Sequence, residues 1–199
     1  MNRRVFIKTV VMSATAVFLS GCGLNVLSGQ SREEPMQKVI SSAGIDKAKI
    51  LVVYFSWSGN TRKVAQQIQS MIGCDIFELQ PQKAYPKDYE STRQRAHAEL
   101  DNNIHVEMAG NIPDLAKYDI VFLGYPVWAH RVPRIIITAL ENPDFTGKTV
   151  IPFCTSASSD IEETLPEIQD KFKNINWKEG LTANDEDDIK PWIDKQLNI

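Results

Sequence analysis

The stretch Ser56-Trp57-Ser58-Gly59-Asn60-Thr61 gathers three hydroxyl side chains, an amide and a glycine, and carries no charge. Such side chains do not exchange protons near neutral pH; they donate hydrogen bonds to an acceptor-rich group. The run before it, Ile50-Leu51-Val52-Val53-Tyr54-Phe55, is apolar with no polar alternation, which suits a strand buried on both faces in a parallel sheet. The stretch after it, Arg62 to Met71, places Val64, Ile68 and Met71 on one helical face. A strand, a polar loop and a helix start aim free backbone N–H groups and the positive end of the helix dipole at one point. The chemistry expected there is binding of an anionic group, most often phosphate. The pattern is neither GxxxxGK(S/T) nor GxGxxG. Ser56, Ser58 and Thr61 would act as donors, Asn60 as donor and cap, and Gly59 would let the backbone come close. Taken alone, the same residues also suit an ordinary Ser/Thr-capped helix.

Further loops of this kind follow. Asp119 to Gly124 reads as another fully buried strand, ending in Tyr125-Pro126-Val127-Trp128-Ala129-His130-Arg131-Val132-Pro133 before a helix from Arg134 to Leu140. Open α/β sheets bind ligands at the carboxyl ends of their strands, and a flat, electron-poor ring would stack on Trp128. Thr149 to Cys154 reads as a strand that ends in Thr155-Ser156-Ala157-Ser158-Ser159-Asp160, with a helix from about Ile161. By itself this is a polar loop with a helix cap.

The remaining elements keep the alternation. Asp75 to Leu79 reads as a short second strand, stopped by Pro81, and Asp88 as the cap of a helix from Tyr89 to Leu100. Trp177 to Asn184 supplies a short fifth strand and Asp185 to Leu197 a closing helix, with Asp185-Glu186-Asp187-Asp188 read as acid at a helix N-terminus or a docking patch for a basic partner. Strand, loop and helix in repeated order predict an α/β fold, an open five-stranded parallel sheet with helices on both faces. Cys74 and Cys154 read as core thiols near opposite ends of different strands, too far apart to bridge. His97 and His105 read as surface residues, and no Cys/His cluster has metal-ligand spacing.

The N-terminus reads as targeting sequence. Asn2-Arg3-Arg4-Val5-Phe6-Ile7-Lys8 is basic, Val10 to Leu19 is apolar but short for a membrane span, and Leu19-Ser20-Gly21-Cys22 follows. The ending is similar to a bacterial lipobox, with Cys22 as the lipidated residue, and the basic start resembles a twin-arginine export motif. Residues 1–21 are thus expected to be a signal peptide, 22–48 a tether and 49–199 the folded domain. An uncleaved anchor is the alternative. The formal charge of −3 weighs against nucleic acid as a partner.

Ser56-x-Ser58-Gly59-Asn60-Thr61 at the end of a first strand resembles the FMN phosphate loop of flavodoxins, T/S-x-T/S-G-x-T. Gly124-Tyr125-Pro126-Val127-Trp128 resembles the G-Y-P-x-W-W-G loop of a short-chain subgroup, and Tyr85-Pro86-Lys87-Asp88-Tyr89 its YPxDY element. On composition the latter is only a turn and a cap. Thr155-Ser156-Ala157-Ser158-Ser159 is similar to the family's T-S-G-G-S loop. Ala129 stands where a second tryptophan is usual, and His130 replaces a glycine that eases a peptide flip beside the flavin; a donor beside the flavin is the other role open to His130. The resemblance implies the strand order 2-1-3-4-5, an order flavodoxins themselves exemplify. It also implies FMN, held by Ser56, Trp57, Ser58, Gly59, Asn60, Thr61, Pro126, Val127, Trp128, Ala129, His130, Thr155, Ser156 and Ala157. The function implied is electron transfer at the cell envelope, with redox proteins or a small electron acceptor as partners and no catalytic acid, base or nucleophile. An FMN-dependent NAD(P)H:quinone-type oxidoreductase and a flavin-free interaction module remain as alternatives.

Overall fold

The computed structural model describes residues 43–199. The expected signal peptide, Cys22 and the tether up to residue 42 lie outside the described residues. Within them the order is β1 Ile50–Tyr54, α1 Asn60–Ile72, β2 Asp75–Glu78, α2 Tyr89–Asp101, β3 Ile120–Pro126, α3 Arg134–Leu140, β4 Thr149–Thr155, α4 Ile161–Lys171, β5 Asn176–Trp177, β6 Leu181–Thr182 and α5 Ile189–Leu197. The strands pair in parallel in the order 2-1-3-4-5, and β6 also pairs with β4.

Side chains of successive strand residues point to opposite faces. Leu51, Val53 and Phe55 join Val121, Leu123 and Tyr125 on one face, under Ile135 and Ile136 of α3 and Ile161, Leu165 and Ile168 of α4. Ile50, Val52 and Tyr54 join Phe122, Ile151 and Phe153 on the other, under Val64, Ala65 and Ile68 of α1 and Ile189, Trp192 and Ile193 of α5. Both faces are covered, which is why β1 shows no polar alternation. Each such fully buried side chain contributes roughly 1.5–3 kcal/mol.

The single strand expected over Trp177–Asn184 is instead two short pieces. Val150 and Cys154 of β4 accept the N–H groups of Lys178 and Ala183 at 2.9 and 2.8 Å. Between them on that edge lies Pro152, which has no N–H for the ladder. Gly180 closes over the break: a Cβ there would lie 3.1 Å from the Pro152 carbonyl oxygen and 2.6 Å from Ile161 Cδ1. The closing helix also starts later than expected. Asp185 accepts from the Asp187 N–H at 3.0 Å and caps a 3-10 turn over Glu186–Asp188, so the acidic run precedes α5.

Cys74 lies just before β2, and Cys154 near the carboxyl end of β4; both are buried and free. Burial pushes each thiol up to about 12, so neither is a nucleophile at physiological pH. Gly124 in β3 lies against the Phe153 ring, where an added Cβ would stand 2.2 Å from Cζ. Gly124→Ala should therefore cost about 1–3 kcal/mol through overpacking, read as a lowered urea midpoint with an unchanged slope.

Candidate functional site

The loops after β1, β3 and β4 meet where the strand order reverses, between β1 and β3, as open α/β sheets place their ligands. A cavity of about 580 Å³ opens there, within the range of small-molecule sites.

The start of α1 forms part of the cavity wall. Its N-cap is Gly59, at φ +97°, and no side chain caps the helix. The left-handed conformation favours glycine. Ser56 Oγ accepts the Gly59 N–H at 3.1 Å, which shapes the loop from within. Thr61, 1% exposed, places Oγ1 2.8 Å from Thr155 Oγ1 and so ties the first loop to the third. Ser58 and Asn60 line the cavity, whereas Ser56, Gly59 and Thr61 form its frame. Lys63 of α1 and Glu186 form an ion pair on the cavity wall, and Lys63 holds the Glu186 carboxyl below the usual range.

Two indoles, Trp57 and Trp128, also line the cavity. Trp57 Nε1–H donates to the Pro86 carbonyl at 2.9 Å, which also accepts the Thr92 hydroxyl at 2.8 Å. Trp128 meets Phe55 and Tyr85 edge-on, with centroids 5.3 and 5.0 Å away, the geometry aromatic rings prefer. Reciprocal backbone bonds between Trp128 and Arg131, at 3.0 and 2.9 Å, close a two-residue turn with Ala129 at φ +47° and His130 at φ +60°. Two positive φ angles make this a type I′ turn, where glycine and asparagine are preferred.

His130 is not on the cavity wall. Its Nδ1 lies 2.5 Å from Ser159 Oγ and 3.7 Å from Glu163 Oε2, so the imidazole pins the second loop to the third. Among the residues expected to hold a ligand in the second loop, His130 is thus the one whose side chain reaches to the third. Thr155, Ser156 and Ala157 do line the cavity, as do Pro126, Val127, Trp128 and Ala129. Asn184 braces this third loop: its Oδ1 accepts the Ser156 N–H at 3.1 Å and its Nδ2 donates to the Ser156 carbonyl at 2.6 Å.

Sequence reasoning missed the wall supplied by α2. Tyr89, Thr92, Arg93, Ala96 and His97 all line the cavity. The signal was available, since Tyr89, Arg93 and His97 recur every four residues along one helical face. Tyr85-Pro86-Lys87-Asp88-Tyr89 is also more than a turn and a cap. Asp88 does cap α2, accepting the Ser91 N–H at 2.8 Å. In addition Tyr85 supports Trp128, Pro86 anchors Trp57, and Tyr89 stands 6.5 Å from Trp57 between ring centroids.

A family profile described as Flavodoxin matches residues 49–196. The chain belongs to the flavodoxin family. Among solved relatives, a flavoprotein of Bacteroides eggerthii is 34% identical with a TM-score of 0.68, covering 76% of this chain and 98% of that one. A flavoprotein of Lactobacillus acidophilus NCFM, solved in complex with FMN, is 26% identical with a TM-score of 0.62, covering 73% and 99%. Flavodoxin 1 of Shigella flexneri is 23% identical over 137 residues, and the chain spans 64% of that protein's length. The cavity thus sits at the ligand end of a flavodoxin sheet, lined by hydrogen-bond donors and by two indoles. Among the described residues no group of His, Cys, Asp or Glu is placed to hold a metal ion.

Ala129 carries a positive φ without a side-chain bond to justify it. Ala129→Gly should raise stability by about 0.5–1 kcal/mol, because the left-handed conformation strains a Cβ but not glycine; thermal or urea denaturation measures it.

Proposed function

We propose that this flavodoxin-family chain is an FMN-binding electron-transfer protein of the bacterial cell envelope, anchored by a lipid on Cys22. The observation that carries the reading is that one cavity is lined both by residues of an uncapped helix start and by two indoles. The residues present fit the cofactor. First-turn N–H groups of α1, with Ser58 and Asn60, suit a phosphate monoester. Trp57 and Trp128 suit a flat ring, and the Thr155–Ala157 loop suits the polar edge of that ring. The FMN-bound relative supports the same assignment. FMN supplies the electron transfer when bound; the chain binds it, orients it and shields it from water. The lipobox-like Leu19-Ser20-Gly21-Cys22 and the twin-arginine-like start support export and anchoring.

A second reading is favoured by one observation. The cavity continues along Tyr89, Arg93 and His97 of α2, beyond the three loops that a flavin requires. That wall would suit a small donor or acceptor such as NAD(P)H or a quinone, and would make the protein an FMN-dependent reductase.

The chain from about Ser31, produced in the cytoplasm, should be yellow and release one FMN per polypeptide. Trp128→Ala should weaken FMN by about 1–3 kcal/mol, the scale of base–aromatic stacking, or roughly 5- to 150-fold in Kd. Anaerobic reduction by NADPH in the absence of any partner would select the reductase; reduction only by dithionite or light would select the carrier. A folded chain that fails to take up added FMN would sink both readings. In bacteria, Cys22→Ala should move the full chain from the membrane fraction to the soluble one.

A further inference from the structure

Glu99 of α2 is 5% exposed, yet it is a carboxylate. It accepts the Tyr85 hydroxyl at 2.6 Å and Arg95 Nε–H at 2.7 Å. Arg95 also donates to the carbonyls of Lys83 and Ala84, at 2.9 and 2.8 Å, and lays its guanidinium 4.0 Å over the Tyr85 ring. Tyr85 is thus held at its hydroxyl and on its face. Its ring also meets Trp128 edge-on at 5.0 Å and Phe55 in a tilted pair at 5.6 Å. Burial, reinforced by Glu99, pushes the Tyr85 phenol up, so it stays a neutral donor. Neither Tyr85 nor Glu99 lines the cavity. The far end of α2 is fastened to the same aromatic loop: Arg131 donates to the Leu100 carbonyl at 3.0 Å, and Arg134 to those of Asn103 and Ile104 at 3.2 and 3.1 Å.

A buried ion pair is a weak source of stability, because desolvation offsets most of its attraction and an apolar isostere often does as well. Its directional bonds do something an apolar group cannot: they fix one orientation of the groups they hold. We propose that Glu99 is a positioning residue of the flavin site, setting the plane of Trp128 through Tyr85 without touching the ligand. The inference rests on the FMN reading. Stacking depends on ring orientation, so a shift in the indole plane changes affinity unequally for the two oxidation states of the flavin.

The test uses the full chain, stripped of flavin and titrated with FMN, as wild type, Glu99→Gln, Glu99→Leu and Tyr85→Phe. Ile193→Val, a core truncation on the opposite face of the sheet, is the stability control. Glu99→Leu and Tyr85→Phe should weaken FMN about three- to tenfold, the size of one lost aromatic contact. They should also change the near-ultraviolet circular dichroism of the flavin-free chain. The midpoint potential should move by about 30 mV for each tenfold difference between the changes in affinity of the two oxidation states. Glu99→Gln, which keeps an acceptor for the Tyr85 hydroxyl, should recover most of the affinity, and Ile193→Val should lower Tm and leave Kd unchanged. The inference is overturned if Tyr85→Phe and Glu99→Leu match wild type in Kd, dichroism and potential, or change them no more than Ile193→Val does. A folded wild type that takes up no FMN overturns the FMN reading instead; the dichroism of Glu99→Leu, which keeps every aromatic chromophore, then still decides whether Glu99 and Tyr85 hold Trp128.

Discussion

Burial of β1 on both faces is the constraint from which the rest of the structure follows. A strand covered by helices on either side can expose polar groups only at its ends. All the strand pairs run parallel, so the carboxyl ends of β1, β3 and β4 open on the same side of the sheet. The loops there are forced into proximity whatever their sequences. The reversal of strand order beside β1 leaves the gap between them that becomes the cavity. Gly124 belongs to the same constraint. The glycine that heads the aromatic loop leaves room for the Phe153 ring against the sheet.

The loops are then locked mainly to one another. Thr61 with Thr155, His130 with Ser159, and Asn184 with Ser156 each bridge elements distant in sequence. Such bonds preorganise a site, because the ordering cost of the loops is met on folding and is not charged again to the ligand. They also explain a division among the hydroxyls. Ser56 and Thr61 hold the frame, while Ser58 and Asn60 face the cavity.

Ala129 and His130 differ from the loop pattern that the sequence resembles, and the structure gives the difference a physical form. The two residues occupy a type I′ turn that glycine would adopt without strain. The bond from His130 to Ser159 offsets part of that cost and makes the loop stiffer than a glycine-bearing one. Strain held in place by surrounding contacts is a recurring feature of ligand-binding loops. The brace from Tyr85-Pro86-Lys87-Asp88-Tyr89 acts in the same sense on the indoles, from the side of α2.

The sequence by itself determined the order of elements, the double-sided burial of β1 and β3, and the polar or aromatic loops that follow β1, β3 and β4. These are local properties: β-branched runs, helical periodicity and cap residues act over a few positions. The strand order came with the family resemblance, since neighbours in a sheet are chosen by long-range packing. Only the tertiary structure decided the split of the last strand, because Pro152 removes a donor from a neighbour some thirty residues away in sequence. It also decided that α2 lines the cavity, that Tyr85 and Glu99 stand behind Trp128, and that His130 turns toward Ser159. Each of these is a contact between segments brought together by the sheet; the four-residue spacing of Tyr89, Arg93 and His97 marks a face of α2, but nothing local to α2 says what that face meets.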